Sequence, residues 1–151
     1  MPKVIPHLWF QGRAEEAMDF YLSIFRDSRL LSRVELPDPE VSVVRFELAG
    51  LPVAALNANS RVPYSEAFSF LVETADQAET DHYWTALIAG GGKERPCGWL
   101  TDKFGVYWQV IPTALLQMEA DPDREKAGRV LRAMQRMKKI VLADLESAFR
   151  S

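Results

Sequence analysis

The chain has 151 residues, a net charge of −3, and 48% hydrophobic against 26% charged residues, the balance of one globular domain or two small fused modules. No apolar run approaches the ~20 residues that span a bilayer, and a single cysteine, Cys97, excludes an internal disulfide framework and a multi-cysteine zinc site. Met1-Pro2-Lys3-Val4 lacks the apolar core of a secretion signal, so the cytoplasm is the expected compartment.

Residues 4–10 read as a first strand with Pro6 near its edge or start, ended by Gly12. Over 14–25, Ala14, Ala17, Met18, Tyr21, Leu22 and Phe25 recur at the spacing of an amphipathic helix. Glu15 and Glu16 stand in its first turn, where the helix dipole favours anions. Residues 29–36 are a predicted strand ended by Pro37-Asp38-Pro39, and 41–49 alternate apolar and polar. Ala49-Gly50 is a turn, and Pro52–Asn57 a further short strand.

The second half repeats this order. Ala67–Glu73 is a predicted strand, and Thr74-x-x-Gln77 and Asp76-x-x-Glu79 are both capping-box candidates opening a helix. That helix turns Tyr83, Trp84, Leu87 and Ile88 inward and stops at Gly90-Gly91-Gly92. Residues 94–100 are a strand or a loop, and 106–111 the last strand. Ala14-Glu15-Glu16-Ala17-Met18-Asp19-Phe20-Tyr21 echoes Ala78-Glu79-Thr80-Asp81-His82-Tyr83 at an offset of roughly sixty residues, the mark of an internal repeat.

Past residue 112 the pattern changes to helices. Asp121-Pro122 reads as an N-cap followed by proline at the first helical position. Ala127, Val130, Leu131, Met134 and Met137 form an apolar stripe, and a last short helix spans about 140–149. Residues 1–121 hold 10 basic and 17 acidic side chains, net −7, whereas 122–151 hold 8 basic and 4 acidic, net +4. A basic helical tail suits nucleic acid, or docking on the chain's own acidic body or on a partner subunit. It interleaves acids and carries no aromatic stacking platform.

The densest chemical signal is Cys97-Gly98-Trp99-Leu100-Thr101-Asp102-Lys103-Phe104-Gly105-Val106-Tyr107-Trp108-Gln109-Val110-Ile111-Pro112. Asp102 and Gly105 form a D-x-x-G turn feeding an apolar strand that holds one amide, Gln109. A polar group there needs a partner or loses free energy, so Gln109 has a structural hydrogen bond or faces a pocket. Cys97 lies beside Arg95 and near Lys93, and positive neighbours lower a thiol's pKa. It is therefore either a candidate nucleophile or a small residue in a tight turn. Gly90-Gly91-Gly92-Lys93 follows a helix and lacks phosphate-loop spacing.

Two tandem strand–helix–three-strand modules, each with a helix carrying Phe20-Tyr21 or Tyr83-Trp84, resemble the vicinal-oxygen-chelate superfamily of glyoxalases, bleomycin-resistance proteins and dioxygenases. Leu8-Trp9-Phe10, Leu56-Asn57, Glu66-Ala67-Phe68-Ser69-Phe70, the Cys97–Lys103 run with Gly105, Trp108-Gln109 and Pro112, and Ala133-Met134 with Met137-Lys138-Lys139-Ile140 are similar to its PhnB-like branch. Members of that branch carry a demethylubiquinone methyltransferase label. No glycine-rich loop follows a strand here to hold a nucleotide-like methyl donor.

The resemblance implies an α+β fold: two βαβββ modules (about 3–57 and 67–112) whose curved mixed sheets enclose a cleft, plus a helical extension over about 113–151. It also implies a divalent metal held by one residue from each of four strands. The first position, fourteen residues before Tyr21, falls on His7, and the others on Asn57, Ser69 and Gln109. One imidazole and no carboxylate make a poor set for a transition metal. No cofactor is expected, and at most weak binding of a divalent ion. His7 is then a hydrogen-bonded wall residue or a pocket base. His7, Trp9, Asn57, Ser69, Trp99 and Gln109 are the candidate ligand-binding residues, and His7, Gln109 and Cys97 the candidate catalytic ones. His82 lies on the polar side of its helix and Trp84 is core.

The expected function is small-molecule binding without a tightly held metal. A metal-dependent lyase, isomerase or dioxygenase is one alternative, and partner or nucleic-acid binding through the basic tail is another. The apolar stripe and the charge imbalance also favour a homodimer in which the tail covers the partner.

Overall fold

The computed structural model describes residues 1–151. The chain divides into two compact units, Met1–Pro63 and Tyr64–Ser151. In the first, β1 (His7–Gln11) leads through α1 (Ala14–Ile24) to β2 (Arg29–Glu35), β3 (Ser42–Leu48) and β4 (Leu51–Ala58). The sheet order is β1-β4-β3-β2, with β1 parallel to β4 and the other pairs antiparallel.

Period-two alternation in β1 sends Leu8 and Phe10 into the core and leaves His7, Trp9 and Gln11 on the other face. The helix stripe is as the spacing predicts: Ala14, Ala17, Met18 and Tyr21 are buried, and α1 packs on β1, β3 and β4. Ala49 and Gly50, both left-handed, make the two-residue link between Leu48 and Leu51. That is the turn whose twist matches adjoining strands.

The second unit repeats the plan: β5 (Phe70–Thr74), α2 (Gln77–Ile88), β6 (Lys93–Glu94), β7 (Trp99–Thr101) and β8 (Tyr107–Pro112), in sheet order β5-β8-β7-β6. The β5·β8 pair is parallel and the rest antiparallel. Two open four-stranded sheets with one connectivity are the α+β duplication that the repeat predicts.

Of the two capping boxes, Asp76-x-x-Glu79 caps α2. Asp76 accepts from Glu79 N at 2.8 Å, and Glu79 reaches back to Ala75 N at 2.6 Å. Thr74 instead pairs its hydroxyl with that of Thr80 at 2.6 Å, fully buried. Trp84 and Leu87 are buried, as predicted, and His82 is exposed. Residues 94–100 hold both a strand and a loop, the ends of β6 and β7 around a tight turn.

The extension holds three helices: α3 (Thr113–Glu119), α4 (Arg124–Met134) and α5 (Leu142–Arg150). The N-cap of α4 is Asp123, which accepts from Glu125 N and Lys126 N. Asp121, the expected cap, accepts from Asp123 N one step earlier.

The apolar stripe does not wait for a partner subunit. Val130, Ile140 and Leu145 are fully buried with Ile111, Leu115 and Met118, and Met134 and Met137 pack against them. Only Leu131 is exposed from the stripe. Each such fully buried large side chain is worth ~1.5–3 kcal/mol of transfer free energy. Charge follows the same route. Lys139 pairs with Asp81 of α2 at 2.7 Å. Arg129 donates to Ala148 O and Phe149 O at the C-terminus of α5, where the dipole favours a cation. Within the second unit, then, Lys139 of the tail pairs with an acid of α2 and Arg129 with the tail's own last helix.

Candidate functional site

The site is built from the D-x-x-G turn outward. Asp102 is buried, and its Oδ1 accepts from Phe104 N at 2.8 Å and Val106 N at 3.0 Å. Its Oδ2 accepts from Trp108 Nε1 at 2.9 Å. One carboxylate thereby closes the turn and ties the first inward residue of β8. From there the strand alternates. Trp108 and Val110 are buried, and Tyr107 and Gln109 lie half-buried on the opposite face.

On that face Gln109 is in register with Trp99 of β7 and Leu71 of β5. Its Nε2 donates to Ser69 Oγ at 3.0 Å. The amide therefore has a structural partner and also stands beside an aromatic side chain that lines a cavity.

The cavity, of about 290 Å³, is lined by Glu66, Arg95, Pro96, Trp99 and Tyr107. This is close to the lower end of the ~300–1,000 Å³ common for ligand sites. Its rim is a tight turn. Cys97 (φ 63°) and Gly98 (φ 79°) are consecutive left-handed residues, and Trp99 N–H closes on Pro96 O at 3.2 Å while Arg95 N–H donates to Trp99 O at 2.8 Å.

The turn is pinned from behind by the extension. Cys97 N–H donates to Met137 O at 2.9 Å and Gly98 N–H to Lys138 O at 2.8 Å. Gly98 is required there, because a Cβ would stand 2.8 Å from Ile111 Cδ1 and 3.1 Å from both Ile140 Cγ1 and Val110 O. The Arg95 guanidinium lies over the Tyr107 ring, 4.7 Å from its centroid. Its Nε is buried without a hydrogen-bond acceptor, an omission that costs roughly 1–3 kcal/mol.

The sequence-predicted residues fall in both units. Ser69 and Gln109 come together, and Trp99 joins them on one face. Cys97 sits in the turn, held through its backbone N–H, with its side chain half-buried. In the first unit, His7 is exposed and Trp9 half-buried on one face of β1. The Trp9 indole donates to Ser60 O at 2.8 Å.

Asn57 lies on the opposite face. It is in register with Phe10, and its Oδ1 accepts from Ala14 N at 3.0 Å at the start of α1. Asn57 therefore serves as a helix cap supplied from a strand, and the β4 residue that shares the face of Trp9 is Leu56. Neither unit gathers three His, Cys, Asp or Glu side chains able to hold a metal ion. Arg95 and Tyr107 were not expected at the site. Tyr107 has a legible signal, its parity with Gln109 along β8, whereas the place of Arg95 depends on the turn.

The family model described as 3-demethylubiquinone-9 3-methyltransferase matches residues 2–111. A comparison with curated proteins finds no match. Among solved structures, a PhnB protein from Bacillus cereus is 27% identical with a TM-score of 0.64, over 74% of this chain and 99% of that one. A fosfomycin resistance protein, FosX, from Listeria monocytogenes is 13% identical with a TM-score of 0.60, over 77% and 94%. A glyoxylase/bleomycin resistance protein/dioxygenase domain from Frankia is 14% identical with a TM-score of 0.53, over 74% and 97%. The last two show the fold alone. Helices α3–α5, with the segment that pins the Cys97-Gly98 turn, lie beyond the residues that the family model matches. With 110 of its 151 residues matched by the family model and both sheets in the superfamily's arrangement, the chain belongs to the 3-demethylubiquinone-9 3-methyltransferase (PhnB) family, on the glyoxalase/bleomycin-resistance fold.

Proposed function

We propose that the protein binds a small organic molecule on the Trp99–Tyr107 face of its second unit without a tightly held metal, in the manner of the resistance proteins that share its fold. The observation that carries this reading is the cavity itself, where two aromatic side chains and a proline meet a guanidinium and a carboxylate. Apolar walls with a few polar groups are the usual make-up of a small-molecule site.

The donor set argues against a resident divalent ion. At the positions where the resemblance implies ligands stand an amide already donating to a hydroxyl, one imidazole, and an Asn57 turned to α1. Neutral amide and hydroxyl oxygens replace little of a transition metal's hydration. These residues do not fit the metal, and the chemistry of the face is aromatic contact, one cation, one carboxylate and neutral hydrogen bonding.

Methyl transfer, named in the family description, has little support from the local structure. A nucleotide-like donor is gripped by glycine-rich backbone at a strand-to-helix turn. Here those turns are Gly12-Arg13 and Ala75-Asp76, and Asp76 places its own carboxylate on the N-terminus of α2. The basic tail spends Arg129 and Lys139 within the unit, which weakens the nucleic-acid reading. A homodimer would use surfaces other than the buried stripe, and sedimentation reads its mass directly.

The test is ligand-detected NMR with aromatic and aliphatic small molecules on chelator-treated protein, beside Trp99→Ala and metal analysis of the purified protein. Aromatic binders lost in Trp99→Ala are expected. Stoichiometric metal that His7→Ala removes, or turnover that needs a divalent ion, would establish the glyoxalase-type enzyme instead.

A further inference from the structure

We infer that the molecule held on this face is an organic monoanion with a flat apolar body, gripped through its carboxylate by Arg95. The inference rests on the reading of the Trp99–Tyr107 face as the ligand site and adds the chemical class.

Arg95 is a cation without a counter-ion. It takes part in no ion pair, and its Nε is buried with no acceptor. Its only charge-related contact is the Tyr107 ring, at 4.7 Å. The ring contact holds the guanidinium beside the cavity, and the planar fork of its Nη groups matches a two-oxygen acceptor. The base of the side chain is equally fixed, because the Arg95–Trp99 turn is tied at Met137 O, Lys138 O and, through Gly98 O, Val110 N. Nε is closed to solvent, so a ligand carboxylate meets the guanidinium at its outer Nη edge, where Arg95 lines the cavity.

The rest of the cavity sets the class. Trp99, Tyr107 and Pro96 supply apolar walls for an aromatic body. Glu66, exposed on the same cavity and in no ion pair with Arg95, brings a negative charge to the rim. Like charges repel, so a second carboxylate on the ligand is penalised and a single one, or a zwitterion, is preferred.

The experiment is isothermal titration of the purified protein with three probes of one shape: naphthoate, the neutral naphthalenemethanol, and naphthalenedicarboxylate. Naphthoate is expected to bind about tenfold more tightly than the alcohol, the value of one charge-assisted contact. Arg95→Gln removes that advantage and leaves the alcohol's affinity within about twofold, and Arg95→Lys, keeping charge without the planar fork, falls between. The dicarboxylate binds more weakly than naphthoate in the parent protein, and Glu66→Gln narrows the gap. Equal binding of naphthoate and alcohol, with both weakened by Trp99→Ala, overturns the anion class and leaves the site standing. Binding of neither probe overturns both.

Discussion

Gln109 Nε2 donates to Ser69 Oγ at 3.0 Å, on the same face where Gln109 lies in register with Trp99. The pair joins the strand after the D-x-x-G turn to the residue just before β5. It satisfies an amide that would otherwise face an apolar surround. Gln109→Ala and Ser69→Ala should each cost about 1 kcal/mol, and the double variant little more than either, giving a coupling of about 1 kcal/mol in a denaturant-unfolding cycle. Simple additivity would show that the hydrogen bond contributes nothing.

Asp102 carries more of the fold than its place in a turn suggests. Three donors converge on one buried carboxylate: Phe104 N, Val106 N and Trp108 Nε1. Asp102→Ala strands all three and is expected to destabilise by ~3 kcal/mol or more in urea unfolding. Asp102→Asn keeps the size and one good acceptor, and should cost less, roughly 1–3 kcal/mol.

Two left-handed glycines separate conformational strain from steric clash. At Gly105 (φ 85°) a Cβ would meet nothing within 4 Å, so Gly105→Ala pays only for the backbone, about 1–2 kcal/mol. At Gly98 (φ 79°) the Cβ also strikes Ile111 and Ile140. Gly98→Ala should cost about 1–3 kcal/mol beyond Gly105→Ala, and it should weaken ligand binding because the displaced turn carries Arg95 and Trp99. Thermal melts of the two variants compare them directly.

Two carboxylates predict opposite pH signatures. The Asp81 pKa is lowered, chiefly by its hydrogen bond to Lys139 and then by that to Gln77. Its ionised form therefore favours the folded state above the ordinary carboxylate range, and this benefit fades as pH falls through the depressed value. The Glu119 pKa is raised by burial, so ionisation there penalises the fold once pH rises through the carboxylate range. Asp81→Asn should lower stability at neutral pH by ~0.5 kcal/mol, modest because the pair is half-exposed. Glu119→Gln should raise it slightly. Both differences should shrink in acid, as unfolding at stepped pH will read.

Most of the architecture is legible in the sequence because period-two and 3.6-residue patterns are strong over both modules. The twin helices are legible from Tyr21 and Tyr83, and the β3–β4 link from Ala49-Gly50. The limits are local. Ala67 and Ser69 read as strand by composition, yet β5 pairs with β8 only from Phe70. Asp121-Pro122 looks like a helix start, but Asp123 wins because its carboxylate reaches two free backbone donors.

The site was less legible for a physical reason. Asn57 is one register step away from the face of His7 and Trp9, and one step reverses a strand side chain. Arg95 reaches Tyr107 only because Cys97, an uncommon residue for positive φ, shares a left-handed turn with Gly98 that the C-terminal segment pins. No periodicity announces such a turn.

The most direct measurement is chemical-shift mapping of backbone amides and indole N–H groups during titration with naphthoate in the presence of a chelator. The expected result is shifts centred on Arg95, Trp99 and Tyr107, with the Trp99 indole moving most among the four tryptophans and no change on adding zinc. Shifts confined to residues 1–63, or shifts that appear only once a divalent ion is supplied, would contradict a metal-independent ligand site on the second sheet.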